Sequence, residues 1–212
     1  MSMRKLVCSF IFTLSVLSSV SFFAQEPGEP IAHVVALQGS VNVSGANGEN
    51  HILARRDEIN VGDVLETSNS AWVQLRFSDN ALLTLNCGSR LRLIDYQYLD
   101  RNSDRVSLHL ISGRMRTITG AIQRSNYEFT TDIAEVTIGG TDFEVEIVSE
   151  TENIFGVYDG AITVTNEIDS SFIGLDRAFD FARVIVGAPP VRLPNSPFRI
   201  SNTLLSGTQG QC

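Results

Sequence analysis

The three histidines are the residues in this chain best suited to metal or acid–base chemistry, and their spacing argues against both. His33, His51 and His109 fall on separate predicted strands or loops. His109 alternates with Leu108 and Leu110, which predicts an imidazole on the solvent face of a strand. The chain contains no His-Glu-x-x-His, Cys-x-x-Cys, Gly-x-Ser-x-Gly or phosphate-binding Gly-x-x-x-x-Gly-Lys motif. We therefore predict no metal, no cofactor and no catalytic residues.

Two groups of oxygen-bearing side chains suggest weaker alternatives. Asp100, Asn102 and Asp104 alternate as calcium ligands can, but the glycine and later glutamate of an EF-hand loop are missing. We interpret this segment as a solvated hairpin loop. Asp79 and Asp95 could supply the carboxylate pair of a hydrolase, but nothing in the sequence places them together. The pattern favours a protein that is not an enzyme.

Four arginines form the strongest candidate for a binding site. Arg90 and Arg92 lie on the polar face of one predicted strand, and Arg114 and Arg116 lie on the polar face of the next. If the two strands are neighbours, the guanidiniums form a patch suited to carboxylates of a ligand, to a glycan or to the acidic edge of a partner. The alternative is cross-strand pairing with acidic side chains. The candidates for that pairing are Asp95, Asp104, Glu144 and Glu146.

Apolar and polar residues alternate with a period of two in the segments that must carry these side chains, as in half-buried strands. The clearest segments are 71–77, 90–93, 141–147 and 161–165. In the third segment, the apolar Phe143, Val145 and Ile147 are predicted to point inward. The intervening acidic side chains, Asp142, Glu144 and Glu146, are predicted to point to water. No helical window stands out beyond the N-terminal apolar run, so the fold class is all-β.

Glycines punctuate the predicted strands at intervals of 20 to 27 residues. A β-solenoid needs a residue that tolerates positive φ at each corner, and glycine meets that need. A glycine-rich antiparallel sandwich produces a similar spacing. The sequence therefore leaves two architectures open, β-solenoid-like and two-layer β-sandwich. The glycines are Gly39, Gly62, Gly88, Gly113, Gly140 and Gly160.

The charge composition excludes several classes of partner. The chain has 212 residues and a formal net charge of −8, and its one lysine is Lys5. Nucleic acids and anionic lipid headgroups require clustered cations, so neither is an expected partner. The near-absence of lysine also excludes Schiff-base catalysis.

The N-terminus resembles a secretory signal. Arg4 and Lys5 precede an uncharged apolar run over residues 6–24. Small residues at the cleavage site predict a cut after Ser21, with a cut after Ala24 as the second choice, and an uncleaved membrane anchor is the alternative. We therefore expect a periplasmic or secreted protein with no membrane insertion after cleavage.

Three segments follow from these patterns. Residues 1–24 form the signal peptide, and residues 25–166 form the β domain. Residues 167–212 add a strand near 178–186 and a proline-rich extended tail. Cys87 and Cys212 remain after processing, and an oxidising location permits a disulfide between them. Pairing of Cys212 with another subunit, or no pairing, stays open.

The chain also resembles a known family, the FecR domain, named for the periplasmic region of iron-citrate transport regulators. The matching pieces run in order along residues 36–45, 59–93, 107–120, 127–145 and 157–166. The most specific pieces are VGD before a strand, GRMRTITG, and a threonine-rich strand that leads into IGGTDFEV. The resemblance implies a periplasmic binding or signalling module.

Two departures from the family pattern stand out. Gly139 replaces an arginine that the family usually has, and Asn80-Ala81 replaces a common Gly-Ser or Gly-Thr. The family's regulators have a cytoplasmic anti-sigma segment and a transmembrane helix ahead of the domain, whereas five residues precede the apolar run here. The chain is therefore most similar to the stand-alone secreted members.

The expected function is that of a non-enzymatic module. We expect it to bind or scaffold an envelope protein or glycan in cell-surface signalling, through a sheet edge or the arginine-bearing face. The alternative is a small-molecule sensor for a ligand like an iron chelate. The oligomeric state is left open.

Overall fold

The computed structural model describes residues 29–99, 103–174 and 180–198. These residues form strands joined by short turns, with a single 3-10 turn at Arg124–Asn126. No helix within the three described ranges is long and apolar enough to cross a membrane. The strands are β1 (Ala32–Gln38), β2 (Val41–Ser44), β3 (Asn50–Ile52), β4 (Glu58–Ile59), β5 (Val64–Thr67), β6 (Trp72–Phe77), β7 (Leu82–Leu85), β8 (Arg90–Gln97), β9 (Arg105–Ile118), β10 (Tyr127–Thr130), β11 (Glu135–Ile138), β12 (Asp142–Ser149), β13 (Glu152–Asp159), β14 (Ala161–Thr165), β15 (Ser170–Gly174), β16 (Phe181–Ile185) and β17 (Val191–Leu193).

The strands form two layers that share β9. Sheet I has the order β4-β1-β6-β7-β9-β12-β13-β16-β17. Sheet II has the order β3-β2-β5-β8-β9-β10-β11-β14-β15. The first half of β9 pairs in sheet II and its second half pairs in sheet I. The long strand β9 thus ties the two layers together.

The direction of pairing decides between the two predicted architectures. A solenoid stacks successive coils as parallel strands. Here the described pairings are antiparallel except for that of β9 with β10. The fold is therefore a two-layer, mostly antiparallel β-sandwich.

The predicted corner glycines lie where the chain passes from one sheet to the other, and all six have φ between 62° and 89°. Gly113 is the clearest case because it lies inside β9, at the point where that strand changes sheet. Its φ is 81°, and a Cβ there would lie 2.2 Å from the Oγ of Ser89. Only glycine can hold this crossing without moving the chain.

The inward faces of the two sheets form one apolar core, as the alternation predicts. Ala71, Val73, Leu75 and Phe77 of the segment 71–77 are all buried. Phe129 of sheet II meets Phe143 of sheet I edge to face, with ring centroids 5.6 Å apart. Burying a side chain of this size stabilises the fold by about 1.5–3 kcal/mol. The core therefore holds the two sheets together.

The prediction that Glu144 points to water is wrong. Its side chain projects from the outer face of β12, yet the residue is 0% exposed. Arg114 and Tyr158 lie against its carboxylate. Ile147, predicted to point inward, is half-buried and packs at the margin of the core.

The sandwich continues beyond residue 166. The strand predicted near 178–186 is confirmed as β16, and β15 and β17 extend sheets II and I. The proline-rich segment after β17 is mostly exposed and ends at Phe198, which is buried. The predicted signal peptide and residues 199–212 lie outside the described residues.

Candidate functional site

The four predicted arginines lie on two different layers. Arg90 and Arg92 are exposed on the outer face of sheet II, where Arg92 lies opposite His109. Arg114 and Arg116 lie on the outer face of sheet I. β8 and β9 are neighbours, as the prediction required. However, β8 pairs with the part of β9 that precedes Gly113, whereas Arg114 and Arg116 follow Gly113 and lie in sheet I. The structure therefore does not bring the four guanidiniums into one patch.

Arg114 and Arg116 belong instead to a cluster of side chains on sheet I. Arg116 donates two hydrogen bonds to the two carboxylate oxygens of Asp142, at 2.8 Å each. Arg114 donates from Nε to Glu144, and the hydroxyl of Tyr158 donates to the same carboxylate at 2.6 Å. The guanidinium of Arg116 lies 4.0 Å from the centre of the Tyr158 ring. We call these five residues the ionic cluster.

Burial sets the electrostatics of the ionic cluster. Desolvation raises the pKa of Glu144, and the hydrogen bonds from Arg114 and Tyr158 offset this only in part. Desolvation also raises the pKa of Tyr158, so its hydroxyl keeps the proton that it donates to Glu144. Burial disfavours the charged form of Arg116, but Asp142 outweighs this and raises the pKa of the guanidinium.

The segment after β17, residues 194–198, covers one side of the ionic cluster, and we call it the C-terminal segment. The guanidinium of Arg114 lies 4.7 Å from the centre of the Phe198 ring, and Phe198 meets Phe181 edge to face at 6.0 Å. Two arginines balance two carboxylates within the cluster. The cross-strand pairing considered for the arginines is thus found for Arg114 with Glu144. We conclude that the cluster holds the C-terminal segment against sheet I.

A cavity of about 710 Å³ lies at one margin of sheet II. The turn between β10 and β11, the turn between β14 and β15, and the end of β16 converge there. His109 lines it, and its Nδ1 lies 2.8 Å from Thr130 Oγ1 while its Nε2 lies 3.0 Å from Asp132 Oδ1. His109 was predicted on the solvent face of a strand, and it is part-exposed there. The cavity could not be predicted from the alternation of residues, because its three lining segments are far apart in the chain.

Asp79 and Asp95, the candidate carboxylate pair, have separate structural roles. Asp79 is 1% exposed and accepts hydrogen bonds from the Tyr96 hydroxyl and the Ala81 backbone N–H, both at 3.1 Å. Asp95 lies on the outer face of β8, where it pairs with Arg105. The two carboxylates therefore do not share a cleft.

The remaining candidates for chemistry are dispersed. Asp104 is buried and accepts a hydrogen bond from the Leu99 N–H at 2.8 Å, whereas Asp100 and Asn102 lie outside the described residues. His33 and His51 are exposed on β1 and β3. Within the described ranges, no three His, Cys, Asp or Glu side chains converge as metal ligands do.

Cys87 lies in the turn between β7 and β8 and is disulfide-bonded. This rules out a free reactive thiol at that position. Cys212 lies outside the described residues, so the Cys87–Cys212 pairing stays a prediction.

The four strands at the ends of the two sheets, β4, β17, β3 and β15, differ in length and in how readily another strand could pair with them. β4 has two residues, and β3 and β17 have three each. Pro190 and Pro194 flank β17, and proline blunts an edge because it lacks an N–H. β15 has five residues, and no strand of the described chain pairs with its outer edge. β15 is therefore the longest terminal strand, and we call its outer side, with which no described strand pairs, the open edge. Ser171 on this strand donates from Oγ to the carbonyl oxygen of Pro190 at 3.0 Å.

Part of the sequence is similar to a known protein family. Residues 63–163 match the sequence model of the family described as FecR protein. These residues have the sequence pattern of a FecR domain. The match runs from the start of β5 to β14 and thus covers the β9 crossing and the ionic cluster. The resemblance noted from the sequence motifs is confirmed.

Solved structures show more distant similarity to this chain. Two crystal structures of a candidate anti-sigma factor from Parabacteroides distasonis align with TM-scores of 0.48 and 0.49, at 16% and 15% identity. Each alignment covers 61% of this chain and 58% of that one, so the chain spans less than two thirds of their length. A cell surface anchoring domain aligns over 30% of this chain and 83% of that one, at 30% identity and a TM-score of 0.29. No curated protein matches the chain.

The structure explains the two departures from the usual FecR pattern. Asn80 has a φ of 68°, a left-handed conformation that glycine adopts freely and asparagine tolerates better than most residues. A Cβ at Gly139 would lie 2.9 Å from the carbonyl oxygen of Ala161. The usual arginine would therefore require β14 to move away from residue 139.

Proposed function

We propose that this FecR-domain protein is a non-enzymatic binding module that acts in cell-surface signalling, in the periplasm or outside the cell. The FecR match supports a regulatory role in signalling. The signal-like N-terminus supports the location. In this proposal the partner is an envelope protein that docks through an extended segment.

The open edge of β15 is the observation that carries this proposal. No strand of the described ranges pairs with the outer edge of β15, and an extended segment of a partner can add to such an edge as a further strand. Backbone hydrogen bonds then supply affinity, and side chains on alternate positions supply specificity. β15 is longer than the other terminal strands and contains no proline.

Apolar side chains beside this edge would contribute to specificity. Phe172 on β15 is 43% exposed, and Val191 on β17 is 55% exposed. Both line a shallow cavity of about 570 Å³ between the two strands. An incoming strand with an apolar side chain at the matching position would cover this surface, which stabilises the complex.

Site-specific photocrosslinking in the native cell tests the proposal. A photoreactive residue at Ser170 on β15 should yield one adduct with a defined envelope protein. The same residue at Ile52 on β3 should not, although Ile52 is an exposed apolar position at the other end of sheet II. The partner segment identified in the adduct should protect the amides of β15 from hydrogen exchange when it is added as a peptide.

Charged substitutions provide the matched control. Phe172→Lys should abolish the adduct, because lysine on an edge opposes strand addition. Thr137→Lys should leave it intact, because Thr137 lies on the same outer face but two strands inside the edge. Identical adducts from both crosslinking positions, or equal loss in both variants, would contradict docking at β15.

A further inference from the structure

The cavity beside His109 has the size of a small-molecule site. Its volume is about 710 Å³, within the range of about 300–1,000 Å³ that is usual for ligand pockets. Its walls come from three segments that are distant in sequence, and the fold holds them together through β10, β11, β14 and β16. It is distinct from the edge of β15, because no residue of that strand lines it.

Carboxylates give the cavity a negative character. Asp132, Glu135 and Glu167 line it, and no lysine or arginine does. Asp132 is held by His109, whereas Glu135 and Glu167 make no side-chain hydrogen bond or ion pair with the described residues. Arg92 lies beside His109 on β8 but does not line the cavity. An anionic ligand would therefore meet repulsion, and a cation would meet complementary charge.

Apolar side chains form the rest of the wall. Ile168 is 55% exposed and Val186 is 54% exposed, and Ile133 lies beside them against the core. Exposed branched side chains next to a cavity lose unfavourable contact with water when an apolar group covers them. Because the carboxylates are exposed, their pairing with a cation is weak by itself. Affinity must therefore come from the apolar wall, while charge selects the ligand.

We propose that this cavity binds a small amphipathic cation, an amine or guanidinium attached to an aliphatic group. The cationic group lies at Glu135 and Glu167, and the aliphatic group covers Ile168 and Val186. This class of ligand is opposite in charge to an iron–citrate chelate. The site stands independently of the strand addition proposed at β15.

A pair of matched probes tests the choice of charge. Hexylammonium and hexanoate share an aliphatic chain and differ in the sign of the charge. In a titration of the purified protein followed by methyl NMR, hexylammonium should shift the resonances of Ile133, Ile168 and Val186. It should bind about tenfold more tightly than hexanoate, as a few exposed charge pairs allow. Ferric citrate should cause no shift at these methyl groups.

Variants show whether the preference for a cation comes from the carboxylates of the cavity or from the negative net charge of the whole protein. Replacement of both Glu135→Gln and Glu167→Gln should reduce the preference for hexylammonium to about threefold or less. Glu128→Gln is the control, since Glu128 is exposed on the same face and hydrogen-bonded to Ser107 outside the cavity. Ile168→Ser should weaken the binding of hexylammonium and leave the binding of ethylammonium unchanged.

Three results would overturn the proposal. The first is binding of hexanoate or ferric citrate at these methyl groups with an affinity equal to that of hexylammonium. The second is an equal loss in the Glu128→Gln control. The third is the absence of any shift with hexylammonium in a protein whose spectrum shows that it is folded. None of them bears on docking at β15.

Discussion

Phe198 packs over Arg114, with the guanidinium carbon 4.7 Å from the ring centre. The contact is possible because β13 has a glycine beneath the ring. A Cβ at Gly156 would lie 2.6 Å from Cε2 of Phe198. One aromatic residue beyond β17 therefore covers a charged pair on the outside of sheet I.

Replacement of Phe198 by alanine should destabilise the protein. The ring is 6% exposed, so its loss removes buried apolar surface and leaves a cavity over Arg114. We expect the free energy of unfolding to fall by about 3 kcal/mol, the lower end for a buried phenylalanine. Urea denaturation measures this change. Ser196→Ala, at an exposed position of the same segment, is the control, and equal stability of the two variants would show that Phe198 does not pack as described.

Replacement of Glu144 by glutamine should change how stability depends on pH. Burial raises the pKa of Glu144 above its usual value of 4.5, so the carboxyl ionises in the unfolded chain at a lower pH than in the folded one. The contribution of Glu144 to stability therefore falls as pH rises from about 4.5 through its folded-state pKa. Glutamine does not titrate, and each unit of pKa elevation corresponds to about 1.4 kcal/mol.

The difference between the two proteins is the quantity to measure. Relative to wild type, the stability of Glu144→Gln should rise between pH 4 and pH 7, because only the wild-type carboxyl must ionise in its buried position. Glu146→Gln removes a carboxylate two residues along the same strand and is the control for the change in net charge. A Glu144→Gln protein that becomes relatively less stable as pH rises would refute the direction assigned to the pKa.

Gly113 and Gly48 allow backbone strain to be separated from a steric clash. Both have positive φ, 81° and 84°. A Cβ at Gly113 would lie 2.5 Å from Cα of Ser89, whereas a Cβ at Gly48 has no atom within 4 Å. Gly48→Ala should therefore cost only the strain of a left-handed residue, about 1–2 kcal/mol. Gly113→Ala should cost clearly more or prevent folding, as thermal denaturation and expression yield would show. Equal costs would mean that the crossing in β9 is not close-packed.

Alternation in the sequence was enough to predict strands and their inward faces. Leu75, Phe143 and Val164 are buried as their positions predict, because side chains on a strand point alternately to its two sides. Asp142 and Glu144 lie on the outer face of the strand, as the alternation predicts, but Glu144 does not point to water. Their burial was not predictable, because it depends on Arg114 and Arg116 of another strand.

The spacing of the glycines was informative but ambiguous. Glycine at a regular interval marks positions of positive φ, and Gly39 and Gly160 fulfil that prediction. The spacing alone could not distinguish parallel coils from antiparallel hairpins. That distinction depends on the direction in which distant strands pair, and local conformation does not encode it.

The sequence by itself determined the all-β class, the resemblance to the FecR domain, the strand faces and the glycine positions at which the chain turns. Each of these depends on neighbours along the chain or on a shared motif. Only the tertiary structure decided that Arg90 and Arg116 lie on different layers and that Glu144 is buried. It also brought His109 and Ile168 to one cavity. These features depend on which distant segments meet, and that is fixed by the packing of the two sheets around a common core.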